Sequence, residues 1–322
     1  MPDPTQLDAR QRSRLRARLL DWYRRRRRDL PWRRTRDPYR IWVSEIMLQQ
    51  TRVAAVLERY GRFLERFPEV RSLARAGVAD VLALWSGLGY YRRARALHAA
   101  AREIVRSGGA APRTAEQWRK LPGIGRYTAA AIASIAHGER CAVVDGNVER
   151  VLRRVTADPD GPISTIWETA EAWLSLKRPG DFNQAMMELG ATVCLPASPR
   201  CDACPVYAWC ATRAALPVKA TAARRKRASA YALVLKRRSV YLKQRKANEN
   251  LMPEMWELPE IAPNGQAPAF TLRHAITVTD FRVSIFRSRD VPQGGRWVKF
   301  DRLATLPLTG LARKILRRAG VI

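Results

Sequence analysis

The stretch Leu121-Pro-Gly-Ile-Gly-Arg-Tyr-Thr128 separates two segments with helical spacing, Ala115–Lys120 before it and Tyr127–His137 after it. Its glycines let the backbone turn sharply and approach a partner closely, so it reads as a hairpin between helices. The N–H groups of Gly123 and Gly125, aimed outward beside the start of the following helix, would bind a phosphate without regard to base sequence. An ordinary helix–helix turn accommodates the same glycines equally well. The surroundings therefore carry the decision.

Working outward, apolar residues at Val43, Ile46, Met47, Val53, Val56, Leu57, Tyr60, Leu64 and Phe67 keep the three-and-four spacing of helices with one buried face. Punctuation by Gly, Pro, Ser and Asp marks further helices at Val78–Trp85, Arg92–Arg106, Asn147–Val155 and Ile166–Leu176. Nothing before Cys194 alternates as a long strand. Residues Arg213–Ala228 mix Ala, Pro and the basic run Arg224–Arg227, the composition of an exposed linker. Beyond it, Tyr231–Leu235, Val240–Gln244, Phe281–Phe286 and Trp297–Phe300 are short β-prone runs, closed by a helix near Leu311–Arg318. The expected organisation is a mainly α region over 1–212, a linker over 213–229 and a small α/β domain over 230–322. No internal repeat is present, and the run Arg24–Arg28 reads as a solvated charged face.

Among 322 residues, 59 Lys and Arg stand against 29 Asp and Glu, a formal net charge of +30 that calls for a polyanionic partner. Nucleic acid is the simpler choice, because the longest apolar stretches, such as Thr128–Ala136, are far short of a membrane span. Met1–Arg18 is polar and Arg-rich without an apolar stretch, so a cytoplasmic location is expected rather than secretion. There disulfides are disfavoured. Cys194, Cys201, Cys204 and Cys210 form C-x6-C-x2-C-x5-C in a turn-rich loop, a soft donor set that suits zinc or an iron–sulfur cubane alike. Cys141 lies outside the pattern in an apolar run and reads as a small core residue.

Asp145, in Val143-Val-Asp-Gly-Asn-Val148, sits just ahead of a helix, where an Asp alone is an ordinary N-cap. Glu45, in Trp42-Val-Ser-Glu-Ile-Met-Leu-Gln-Gln-Thr51, would share a helical face with Gln49 and Arg52, and alone would read as a surface residue. Together they fit cleavage of a glycosidic bond: an acid makes the leaving group depart, and a carboxylate stabilises or traps the sugar cation. His98, His137 and His274 fall outside these motifs and read as structural.

Leu30-Pro-Trp-Arg33, Ser44-Glu-Ile-Met-Leu-Gln-Gln-Thr51, Trp85-Ser-Gly-Leu-Gly-Tyr-Tyr91, Val144-Asp-Gly-Asn-Val148 and Phe182-Asn-Gln-Ala-Met-Met-Glu-Leu-Gly190, with the hairpin and the cysteine loop, resemble the MutY family of adenine glycosylases within the helix-hairpin-helix superfamily. The resemblance covers roughly residues 12–212. It implies that Glu45 protonates a flipped adenine and that Asp145 stabilises or captures the sugar cation, with Asn147 holding the carboxylate. Tyr127 occupies the position where lyase-competent relatives carry a lysine, which implies a monofunctional enzyme. Arg33, Leu48 and Gln184 would line the adenine pocket, and Gln50 and Tyr90 would wedge into the gap, offsetting the few kcal/mol that base flipping costs.

By the same resemblance the four cysteines would hold a [4Fe–4S] cluster on loop 194–210, with Arg200 touching the DNA backbone. The C-terminal domain is similar, through Asn250-Leu-Met-Pro-Glu-Met-Trp-Glu-Leu-Pro259 and Arg296-Trp-Val298, to a Nudix-like recognition domain. It lacks the acidic box that would hold magnesium, so binding rather than pyrophosphate hydrolysis is expected. Where the family commonly reads Phe-Ser-His against 8-oxoguanine, this chain has Ile276-Thr-Val278; Thr277 keeps the hydroxyl, and His274 stands nearby. The implied partner is double-stranded DNA containing an adenine mispair, bound by a monomer. Two readings compete: a glycosylase for thymine opposite guanine, and a lesion-binding protein without catalysis.

Overall fold

The computed structural model describes residues 7–214, 224–249, 251–263, 265–276 and 278–322. In chain order the helices are α1 (Ala9–Arg26), α2 (Pro38–Leu48), α3 (Val53–Arg66), α4 (Val70–Arg75), α5 (Val78–Trp85), α6 (Arg92–Arg106), α7 (Ala115–Arg119), α8 (Arg126–His137), α9 (Gly146–Thr156), α10 (Ile163–Trp173) and α11 (Pro179–Thr192). There follow strands β1 (Arg225–Leu233), β2 (Leu235–Lys236), β3 (Ser239–Gln244), β4 (Trp256–Glu257), β5 (Phe270–Ile276), β6 (Thr279–Arg287) and β7 (Arg296–Lys299), and helix α12 (Gly310–Arg318). The chain divides into two compact units, one of residues 1–50, 69–71 and 99–220, the other of residues 51–68, 72–98 and 221–322.

The first unit is all helical among its described residues. Asp8 and Gln11 close a reciprocal capping box at the start of α1, and Asp37 caps α2 ahead of Pro38, whose missing N–H is harmless at a first helical position. Leu15, Leu19 and Tyr23 of α1 pack with Val148, Val151 and Leu152 of α9, Trp173 of α10, and Phe182, Met186 and Leu189 of α11. Trp42 of α2 and Trp118 of α7, both buried, meet with ring centroids 5.4 Å apart and fix α2 beside the hairpin.

In the second unit Phe63 of α3 contacts Trp85 of α5 edge to face at 6.0 Å. Among the described residues one sheet has the order β1-β6-β5, with β1 parallel and β5 antiparallel to β6. A second sheet has the order β2-β3-β4, with β7 also paired to β3. Their inward side chains, among them Leu233, Val240, Leu242, Val283 and Ile285, form one core with Leu311, Ile315 and Leu316 of α12.

Several expectations shift. The helical region at 38–67 breaks between Leu48 and Val53, so Gln49 caps α2, Arg52 caps α3, and the two do not continue the helical face of Glu45. Helix α10 starts earlier than expected, at Ile163 behind Pro162, and ends at Trp173. The basic run at 225–227 lies inside β1 rather than in a linker.

Candidate active site

Three side chains converge in the first unit. Glu45 projects from α2 and is only 5% exposed. Tyr127, from the first turn of α8, donates its hydroxyl proton to Glu45 Oε2 at 2.8 Å, and the Met187 sulfur lies 3.2 Å from the tyrosine oxygen. Burial pushes the Glu45 pKa from 4.5 to about 7; the Tyr127 hydrogen bond and the Arg33 charge pull it down, while the charge of Asp145 pushes it up. Burial also raises Tyr127 well above its ordinary value, so it stays a neutral donor. A carboxyl half-protonated near neutral pH, beside a second carboxylate, is the arrangement acid-assisted bond cleavage needs.

Asp145 caps α9: its Oδ1 accepts from Asn147 N at 2.9 Å and Val148 N at 2.8 Å, and its Oδ2 accepts from Asn147 Nδ2 at 3.0 Å. The capping role read from sequence is thus present, and the side-chain bond from Asn147 fixes the second oxygen as well. Asn147 Oδ1 accepts from Arg150 at 2.9 Å, and Arg150 also donates to the carbonyls of Gly190, at 2.8 Å, and Cys194, at 2.9 Å. Gly190 leaves no room for a side chain, since a Cβ there would lie 2.6 Å from the Asn147 Cβ. Arg150 therefore joins the carboxylate segment to the cysteine loop, a link that motif spacing did not reveal.

A second cluster surrounds Glu188, which is fully buried on α11. It accepts from Arg28 N, Nε and Nη2 at 2.9, 2.9 and 2.6 Å and from Arg33 Nη2 at 2.7 Å. Burial pushes the Glu188 carboxyl up, but the bonds from Arg28 and Arg33 outweigh it and bring the pKa to about 2. Arg28 thus leaves the solvated face expected for the whole Arg24–Arg28 run; only Arg24–Arg27 are exposed. Tyr23 donates to Gln184 Oε1 at 3.2 Å, and the guanidinium of Arg33 lies over the Tyr23 ring at 5.5 Å. Neither Glu188 nor Tyr23 was singled out by sequence, although Glu188 lies within a quoted motif.

The hairpin forms as expected. Gly123 adopts φ +75°, a conformation that favours glycine, and Gly125 caps α8. Both are exposed, and neither N–H finds a partner among the described residues, while Leu121 and Ile124 are buried beneath them. Gln50, at φ +52°, is exposed at the end of the α2 segment, next to half-buried Leu48. Tyr90, in the second unit, has φ +47° and is 49% exposed, with Arg93 over its ring at 5.4 Å. Non-glycine residues held in this region and projected outward mark places where shape is retained at a cost. Thr277 lies outside the described residues; its neighbour Val278 is exposed.

Cys194, Cys201, Cys204 and Cys210 line one cavity together with Arg154, Leu189 and Val206, and Arg200 stands exposed at its rim. Arg154, 2% exposed, donates to Cys194 Sγ at 3.2 Å, and its Nε has no partner among the described residues. Burial, then the neighbouring sulfurs, push the Cys204 thiol up to about 12. Uncompensated, the Cys204 thiol keeps its proton; a cationic centre beside it would release it. No three His, Cys, Asp or Glu side chains among the described residues close on a single ion. Cys141, outside the cavity, packs against the helical core as expected.

Residues 43–173 match the family model of the HhH-GPD superfamily base excision DNA repair proteins. The chain is similar to a thermostable thymine-DNA glycosylase of known structure, with a TM-score of 0.59 and 30% identity over 63% of this chain and 96% of that one. The chain belongs to the HhH-GPD superfamily of base excision DNA repair proteins. Within that class it is similar to the adenine DNA glycosylase of Mus musculus, 51% identical over 210 residues, and to that of Arabidopsis thaliana, 36% identical over 314 residues. These matches cover 61% and 82% of this chain but only 41% and 50% of the relatives.

Proposed function

We propose that the chain is a monofunctional DNA glycosylase that removes adenine mispaired with 8-oxoguanine or guanine. The observation that carries this reading is the buried Glu45, poised near neutral pH and held by Tyr127 within the field of Asp145. The protonated Glu45 carboxyl donates to a ring nitrogen of the adenine. The bond from sugar to base then breaks with its electron pair leaving on the base, and Asp145 stabilises or captures the sugar cation until water completes the hydrolysis. Asn147 keeps Asp145 oriented. Because a neutral tyrosine stands at position 127, the hairpin supplies no amine for a Schiff base.

Arg33 and Gln184 are held by Glu188 and Tyr23, which suits residues that present fixed polar groups to a flipped base beside Leu48. Gln50 and Tyr90 fill the vacated stack, and the free N–H groups of Gly123 and Gly125 bind a backbone phosphate. The preference for 8-oxoguanine over guanine belongs to the loop around Thr277.

Four cysteines lining one cavity, with the buried Arg154 guanidinium lacking a carboxylate partner among the described residues, suit an anionic thiolate-held [4Fe–4S] cluster. Cys194, Cys201, Cys204 and Cys210 would hold the cluster, which supplies a rigid closed loop, with Arg200 facing DNA. The C-terminal sheets and α12 serve as a Nudix-like recognition domain. The similarity to a thymine-DNA glycosylase favours a second reading, thymine opposite guanine, against which Glu45 argues. Glu45→Gln tests the main reading: excision is lost while duplex affinity stays, and near-normal turnover overturns it.

A further inference from the structure

Within the second unit, α3, α5 and α12 border a cleft of about 450 Å³ lined by Glu58, Arg59, Arg62, Ser86, Arg313 and Arg317. Four guanidinium groups share it with one carboxylate, and Glu58 is already engaged by Arg59 at 2.9 Å. Arg59 is fixed in place: its Nε donates to the Ser86 carbonyl at 2.8 Å. A Cβ at Gly87, where φ is +99°, would come within 2.5 Å of its guanidinium. Arg313 Nε donates to Ser86 Oγ at 2.9 Å, and that hydroxyl, buried at 4% exposure, donates to the Leu308 carbonyl at 3.0 Å.

Arg313 therefore presents its terminal nitrogens from a half-buried seat, with no carboxylate partner among the described residues. Burial lowers its pKa, and the charges of Arg317 and Arg59 lower it further. Arg59 and Arg313 are held in the cleft by the Ser86 carbonyl and hydroxyl, and exposed Arg62 and Arg317 line its edge. Like charges converging on a recess are relieved by an oxyanion, and the planar fork of arginine matches phosphate in two-point fashion. We infer that this cleft is a binding site for a phosphate group, presented either as a free anion or on a nucleic-acid backbone.

The test titrates inorganic phosphate into the full chain against chloride at matched ionic strength, following the melting temperature and the heat of binding. The expected result is a saturable rise with phosphate. Arg313→Gln weakens phosphate affinity at least tenfold. Arg62→Gln/Arg317→Gln does the same, and as both residues are exposed that variant folds normally. Arg10→Gln/Arg14→Gln, on the surface of α1, leaves the affinity unchanged. Undamaged duplex DNA distinguishes the source. If backbone phosphate occupies the cleft, the Arg62/Arg317 variant reduces the salt slope of duplex binding by about one to two. If a free anion is the ligand, the slope holds while the phosphate response is still lost. Cleft variants that keep the full phosphate response, or a wild type responding no more than it does to chloride, overturn the inference.

Discussion

Glu45→Gln stabilises the fold in a pH-dependent manner. Burial moves the Glu45 pKa from 4.5 to about 7, so the carboxyl binds its proton more tightly in the folded chain than in the unfolded one. Below pH 4.5 both states are protonated and burial carries no charge penalty. As pH rises towards 7 the unfolded state ionises first and stability is lost; above 7 the loss is constant. At about 1.4 kcal/mol per pH unit, the gap corresponds to about 3 kcal/mol. Gln keeps the shape and an acceptor for the Tyr127 hydroxyl but never ionises. The variant should match wild type near pH 4.5 and exceed it by up to about 3 kcal/mol at pH 8. Denaturant midpoints at the two pH values measure this. A stability difference that is the same at both pH values, or a variant weaker than wild type at pH 8, refutes the desolvated, proton-holding Glu45.

Tyr127→Phe removes a hydrogen bond that favours the ionised Glu45, so the pH above which single-turnover excision falls should rise by about one unit or more; an unmoved profile excludes Glu45 as the titrating acid. Gly190→Ala forces a Cβ against Asn147 and should cost about 1–3 kcal/mol of stability while slowing excision, both read on the same purified protein. Cys204→Ser should lower bound iron, measured by elemental analysis; stoichiometric zinc in the wild type would contradict a cluster.

The hairpin, most helices and the cysteine loop were legible because each rests on local signals: glycines at a turn, three-and-four spacing, Pro and Asp at helix starts. Glu45 was legible only in combination with Asp145, since its position looks like surface until the fold buries it beside Tyr127. The break between α2 and α3 went unseen because the apolar spacing runs across it without Gly or Pro. Strand β5 is hard to read from sequence although Phe270, Leu272, His274 and Ile276 alternate inward, because a polar His274 faces in and an apolar Ala275 faces out. Glu188 and Arg28 pair across 160 positions. Such a distant ion pair leaves no local trace, and an arginine run suggests solvent rather than a buried partner.

The most direct measurement is single-turnover excision by wild type and Glu45→Gln on duplexes pairing adenine with 8-oxoguanine, guanine or cytosine, beside a thymine–guanine duplex. Adenine release by the wild type, fastest opposite 8-oxoguanine and absent in Glu45→Gln, is the predicted result. Release of thymine alone, or near-normal adenine release by Glu45→Gln, would contradict it.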